Sequence, residues 1–264
     1  MTSGSADPQL LRGSGGTHRH AGSGAAHDGV SPRISGSANI TTVLLDLDGV
    51  LMDHRAAARE ALDRWLGERA TPEVVDAWFD SMVVRLAEWR AGTATWADQR
   101  RNRLRDVLPL LGEPVGTDAQ LDEVFATGYL AAYERSWRGY DDVAPALAAL
   151  TAAGFRLGVL TNGSAAQQRA KLVALGLLEQ VGPVFSAEAI GVAKPHPRAF
   201  RTACEGLGEP PGSVLYVGDE HETDVLGARG AGLHAVLLDR FGTAPPEETA
   251  VIGSLAELPA LLRG

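Results

Sequence analysis

A chain of 264 residues with 45% hydrophobic content can build one large domain, or a core domain carrying an insertion. Its formal net charge of −9 argues against a nucleic-acid partner, and no apolar run of about 18 residues offers a membrane span. The one cysteine, Cys204, rules out an intrachain disulfide and fits a reducing, cytoplasmic setting.

In residues 1–39, Gly, Ser and Ala fill 20 of the 39 positions. So few large apolar side chains cannot offset the entropy of ordering, and a disordered tail is expected. His18, His20 and His27 lie in it and read as solvated. The tail lacks the apolar core of a signal peptide.

From Ile40 the composition becomes globular. The apolar run Thr42 to Leu47 predicts a buried strand. From about Arg55 to Trp137 the pattern is helical. Val75, Phe79, Met82, Leu86 and Trp89 recur every three or four residues, and Pro72 suits the first turn of that helix. Leu121, Val124, Phe125 and Tyr129 mark another helix. Beyond it, helices are predicted over Val143 to Ala153, Ser164 to Leu175, Arg198 to Leu207 and Asp224 to Ala231. Strands are predicted over Phe155 to Leu160, Val184 to Ser186, Ser213 to Val217 and His234 to Leu238. Cys204 falls in the third of those helices as a small buried residue. Alternating strands and helices predict an α/β fold: a Rossmann-like parallel sheet covered by helices, with an inserted all-α cap. The expected division is a tail at 1–39, a core at 40–54 and 138–264, and a cap at 55–137.

Four groups of polar residues stand at predicted strand ends, where ligands bind in parallel α/β sheets. Asp46 and Asp48, followed by Gly49, are two acids that repel each other unless a cation or proton lies between them. That suits a nucleophile, a neighbouring proton carrier and a hard metal ion. Thr161-Asn162-Gly163 offers a hydroxyl and main-chain N–H groups at a helix start, a ready anion site. Lys194 lies in a loop stiffened by Pro195 and Pro197, with His196 beside it read as structural. Gly218-Asp219 leads to Asp224, and with Glu220 and Glu222 close by, five acids converge if this loop meets Asp46 and Asp48. Taken singly, each group also reads as an ordinary turn, helix cap or solvated loop.

With these four motifs together, DLDGV at Asp46, TNG at Thr161, AKPHP at Ala193 and GDEHETD at Gly218, the chain resembles the haloacid dehalogenase-like hydrolase superfamily over roughly residues 40–240. The resemblance implies that Asp46 is a nucleophile forming an aspartyl-phosphate and that Asp48 is the acid/base. Thr161 and the main chain near Asn162 would bind phosphoryl oxygens, and Lys194 would stabilise charge on both Asp46 and the phosphoryl group. Mg²⁺ would be held by Asp46, Asp219 and the carbonyl of Asp48, with Asp224 a more distant or indirect partner. Glu220 departs from the more usual serine or threonine. The metal-free dehalogenases of the superfamily keep no acid at the position of Asp48, so the resemblance implies a phosphatase of a small phosphorylated metabolite. A sugar-phosphate mutase on the same core and a non-catalytic binding protein on the scaffold are the alternatives. The cap would select the substrate, with closure at a hinge near Gly49 and Asp53–His54. All five tryptophans (65, 78, 89, 96 and 137) fall in the expected cap and read mainly as its core. A solvated helix face is the leading reading of Arg100, Arg101, Arg103 and Arg105; a substrate contact by Trp96, Arg100 or Arg103 is the alternative.

Overall fold

The computed structural model describes residues 39–263; the expected tail, with its three histidines, lies outside them. The described residues form two compact units, one of residues 62–132 and one of residues 40–61 with 133–263.

The larger unit is built on six strands: β1 (Thr42–Leu45), β2 (Arg156–Thr161), β3 (Val184–Ser186), β4 (Val214–Gly218), β5 (His234–Leu238) and β6 (Val251–Ile252). They pair in the order β3-β2-β1-β4-β5-β6, all parallel. The chain therefore runs outward from β1 through β2 to β3, then returns to the other side of β1 at β4. That reversal is a topological switch point, which opens a crevice at the carboxyl ends of β1 and β4. Every residue of β1 and β4 is buried, as near-continuous apolar runs in a sheet covered on both faces should be. Leu44, Leu160, Phe200, Cys204 and Tyr216 belong to one buried cluster, so Cys204 is core and its thiol is pushed up to about 11 by burial.

The helices follow in chain order. α1 (His54–Leu66) leaves the core unit. α2 (Pro72–Arg90), α3 (Trp96–Val107) and α4 (Asp118–Val124) belong to the smaller unit. α5 (Ala131–Glu134) brings the chain back. α6 (Val143–Ala152), α7 (Ala165–Ala174), α8 (Ala187–Ile190), α9 (Pro197–Leu207), α10 (Gly227–Ala231) and α11 (Leu258–Leu261) then alternate with the strands. No helix among the described residues is long and apolar enough to cross a membrane.

The helical unit spans less than the expected 55–137. Glu60 and Tyr133, inside the expected helical insert, are tied to residues of the expected core. Asp53 donates its N–H to the Arg138 carbonyl at 3.0 Å, and Arg138 pairs with Glu60 at 2.8 Å. His54 Nδ1 lies 2.6 Å from the Tyr133 hydroxyl. Trp137 accordingly belongs to the core unit, edge-on to Tyr133, and four tryptophans remain in the helical one. There Thr71 caps α2 and Pro72 opens it, as expected. Val75 and Met82 of the predicted face are buried, but Trp78, not Phe79, is the fully buried aromatic and stacks on Phe125. The turn before Trp96 is a capping box of Thr95 and Asp98. Arg103 is buried with its guanidinium 4.3 Å from the Trp78 ring centroid. Arg101 and Arg105 pair with Asp122 and Asp118 at the surface of the same unit.

Candidate active site

The carboxyl ends of the central strands carry most of the expected residues. Asp46 follows β1 directly, Thr161 ends β2, and Asp219 follows β4. Asp224 sits in a π-helical turn, His221–Leu226, where an extra residue per turn re-aims side chains. Carboxylate oxygens of Asp46, Asp219 and Asp224 lie within 4.8 Å of one another. Two glycines make this approach possible. Gly49 has φ +84°, and a side chain on it would run into the Asp219 carboxylate. A Cβ on Gly218 would likewise collide with Asp224.

Lys194, 2% exposed, enters the cluster from the loop before α9, after which the Lys194–Pro195 peptide is cis. Its ammonium lies 2.7 Å from Asp224 Oδ1 and 3.0 Å from Asp46 Oδ1. It also lies 2.7 Å from the hydroxyl of Tyr216, which in turn donates to the Leu160 carbonyl at 3.0 Å. Burial disfavours the Lys194 ammonium, but Asp224 and Asp46 more than offset it and hold the ammonium charged. The second Asp224 oxygen accepts the Glu220 N–H at 3.1 Å, so this acid fixes both Lys194 and the loop.

Asn162 spends its side chain on the same loop. Its Nδ2 donates to the Lys194 carbonyl at 3.1 Å and its Oδ1 accepts the Lys194 N–H at 2.9 Å. This leaves any anion contact by Asn162 to its main chain. His196 caps α9, accepting the Arg198 N–H at 3.1 Å, which is a structural task.

Burial pushes the Asp46 carboxyl up to about 7; Lys194 lowers it, while Asp224 and Asp48 raise it. Asp219 stands at the mouth but is closely surrounded by protein. That desolvation, then the charges of Asp224, Asp46 and Glu220, push its carboxyl well above the usual range. Three carboxylates thus face one ammonium, leaving a formal charge of −2. Such a site fits a divalent cation with oxygen ligands.

The expected convergence of five acids is not what the structure shows. Asp48, one of them, points to α7, where both its oxygens lie 2.7 Å from Lys171 Nζ. Glu220 and Glu222 are exposed on the loop, where water solvates them better than the cluster could. Burial would raise Asp48, but Lys171 and His54 more than compensate and hold it below the ordinary carboxylate range.

Lys171, Gln168 and Tyr216 are the residues that sequence reasoning missed. Gln168 and Lys171 are three apart, hence on one face of α7, and both are buried. The available signal was their place one to three turns after Thr161-Asn162-Gly163, facing the same strand ends. Tyr216 lies inside an apolar strand and reads as core.

Residues 40–232 match the haloacid dehalogenase-like hydrolase family. The chain belongs to that family. It is 30% identical to a glyceraldehyde 3-phosphate phosphatase of Methanopyrus kandleri, over 76% of this chain and 84% of that one. Its fold resembles that of magnesium-bound YfnB from Bacillus subtilis, with a TM-score of 0.75 at 22% identity, covering 85% of this chain and 99% of that one. L-2-haloacid dehalogenase from Xanthobacter autotrophicus is also similar, with a TM-score of 0.69 at 27% identity over 85% of this chain and 99% of that chain. This dehalogenase-like hydrolase thus has relatives with two chemistries, carbon–halogen and phosphate-ester cleavage.

Proposed function

We propose that this hydrolase is a Mg²⁺-dependent phosphatase of a small phosphorylated metabolite. The observation that carries the reading is the presence of two separate acidic stations. One is the cluster of Asp46, Asp219 and Asp224 with its uncompensated charge of −2; the other is Asp48, placed apart on Lys171. A halide leaves as a stable anion, whereas an alkoxide leaving group needs a proton. An acid at Asp48 has work to do only in the second case. The similarity to a phosphatase of glyceraldehyde 3-phosphate supports the same substrate class.

In this reading an Asp46 oxygen attacks phosphorus while the ester oxygen departs with a proton from Asp48, which enters the step protonated although Lys171 favours its ionised form in the ligand-free protein. The product of that step is an aspartyl-phosphate and a free alcohol. Water then attacks the phosphorus and gives its proton to the Asp48 carboxylate. The bond between phosphorus and the Asp46 oxygen breaks, inorganic phosphate leaves, and both acids return to their starting states. Lys194 keeps its charge throughout and compensates the phosphoryl oxygens together with the Thr161 hydroxyl. Asp46, Asp219 and the main-chain carbonyl of Asp48 would hold the Mg²⁺, which supplies positive charge to the phosphoryl oxygens. Asp224 and Tyr216 hold Lys194 in place.

A panel of phosphorylated metabolites, assayed for released phosphate with Mg²⁺ and with Asp46→Asn as control, tests the proposal. Turnover of one or more esters by the native chain and its loss in the variant are expected. Hydrolysis by Asp46→Asn at the native rate would remove Asp46 as nucleophile. A folded native chain without turnover of any ester would leave a binding protein on this scaffold. Phosphate retained on a sugar product, with stimulation by a sugar bisphosphate, would mark a mutase instead.

A further inference from the structure

Lys171 is a lysine in the last turn of a ten-residue helix, with its side chain 4% exposed. A buried ion pair is a poor source of stability, because well-packed apolar residues of the same volume do as well or better. An aliphatic residue at this position would have served the fold. The geometry gives the lysine another task.

Its ammonium is equidistant, at 2.7 Å, from the two oxygens of Asp48, a symmetric grip that fixes the plane of the carboxylate. Gln168, one turn earlier and 2% exposed, adds a contact from Nε2 to Asp48 Oδ2 at 3.1 Å. The same Nε2 donates to Thr161 Oγ1 at 2.6 Å and approaches the Asn162 carbonyl at 2.9 Å. Thr161 Oγ1 accepts from Gln168 and donates only a long bond, 3.4 Å, to the Asn162 carbonyl, a contact that an incoming anion can replace. The grip comes from behind: the Asp48 side chain keeps 27% of its surface open while Lys171 is enclosed. Asp48 therefore presents itself to a ligand with its orientation already set.

We infer that Lys171 and Gln168 are positioning residues, which fix the Asp48 carboxylate for proton transfer and orient the Thr161 hydroxyl as a donor to the phosphoryl group. The inference rests on the phosphatase reading and extends it from strand-end loops to one face of α7. Lys171 and Gln168 exchange no proton with substrate; they act through Asp48 and Thr161.

Positioning of the proton donor matters most where the leaving group needs a proton. The test is the ratio of kcat/KM for two esters: 4-nitrophenyl phosphate, whose leaving group departs unaided, and the best alkyl ester of the metabolite panel. This ratio does not depend on how much of a preparation is folded. Lys171→Met is expected to shift it against the alkyl ester by about tenfold or more, toward the value of Asp48→Asn, given the hundredfold or larger effects typical of general acids. In the double variant Asp48→Asn/Lys171→Met the ratio is expected to stay where Asp48→Asn alone puts it. Gln168→Leu is expected to shift the ratio in the same direction, by less. A merely structural role would lower both kcat/KM values together and leave the ratio unchanged, and that result overturns the inference while the phosphatase reading stands. A native chain that hydrolyses neither ester overturns both.

Discussion

The two units of this chain use charge in opposite ways. In the core unit the charged side chains that matter are buried: Lys194 between Asp46 and Asp224, and Lys171 against Asp48. In the helical unit most ion pairs lie at the surface, such as Arg101 with Asp122 and Arg85 with Asp106, and the interior is aromatic. Its one markedly buried cation, Arg103, rests on Trp78. Buried charge is costly and must be matched by partners, whereas surface pairs are nearly neutral to stability. In the phosphatase reading, the contrast separates residues that the fold could replace from residues held at a cost because the reaction uses them.

The comparison breaks most visibly at Asp46. Asn at that position is nearly isosteric and removes one charge, so turnover should fall by about 10³-fold or more while the thermal midpoint holds or rises. Parallel melting and phosphate-release curves check this. In the helical unit the largest effect should come from an uncharged residue. Trp78→Ala leaves a cavity among Trp65, Phe125 and Tyr129, and should cost about 3–5 kcal/mol in denaturant unfolding of the whole chain.

A subtler effect follows from the raised carboxyls of Asp46 and Asp219 in the metal-free protein. Asp46 titrates at about 7 when folded, against a value near 4 for an unfolded chain. A group raised in this way holds a proton in the folded state that the unfolded chain has lost. Metal-free stability is therefore full below about pH 4 for this term and declines as pH rises through about 7. In the proposed reading a divalent cation takes the place of those protons. The rise in melting temperature caused by Mg²⁺ should be larger at pH 8 than at pH 5, and differential scanning fluorimetry in the two buffers reads it. The smallest effect is expected at Arg69→Gln, which removes an exposed pair with Glu113; neither the melting curve nor turnover should move beyond experimental scatter.

Much of this contrast could be read from sequence, for definable reasons. β1, β2 and β4 are apolar runs that stop at a polar residue, so both the strand and the functional position at its end show in one dimension. Lys171 does not show, because a lysine on an amphipathic helix normally faces water; only the fold reveals that this one points at Asp48. Tyr216 is hidden in an apolar strand, where its ring reads as core and its hydroxyl goes unnoticed. The expected end of the helical insert differs from that of the helical unit because Tyr133 and Trp137 continue the helical periodicity while belonging to the core unit. Beyond Leu238 the sequence predicts no elements. β6 is two residues long, and the order there comes from Asp142, which binds Arg240, Ser254 and the Leu255 N–H across more than 95 residues of sequence. Periodicity carries no trace of contacts so distant.

Isothermal titration of Mg²⁺ into the metal-free chain, and into Asp219→Asn, addresses the acidic cluster most directly. The native chain should take up one ion per molecule, and the variant, with the cluster's excess charge halved and one oxygen ligand replaced by an amide, should bind it at least about tenfold more weakly. Equal affinity in both proteins, or no uptake by the folded native chain, would contradict a divalent site that uses Asp46 and Asp219.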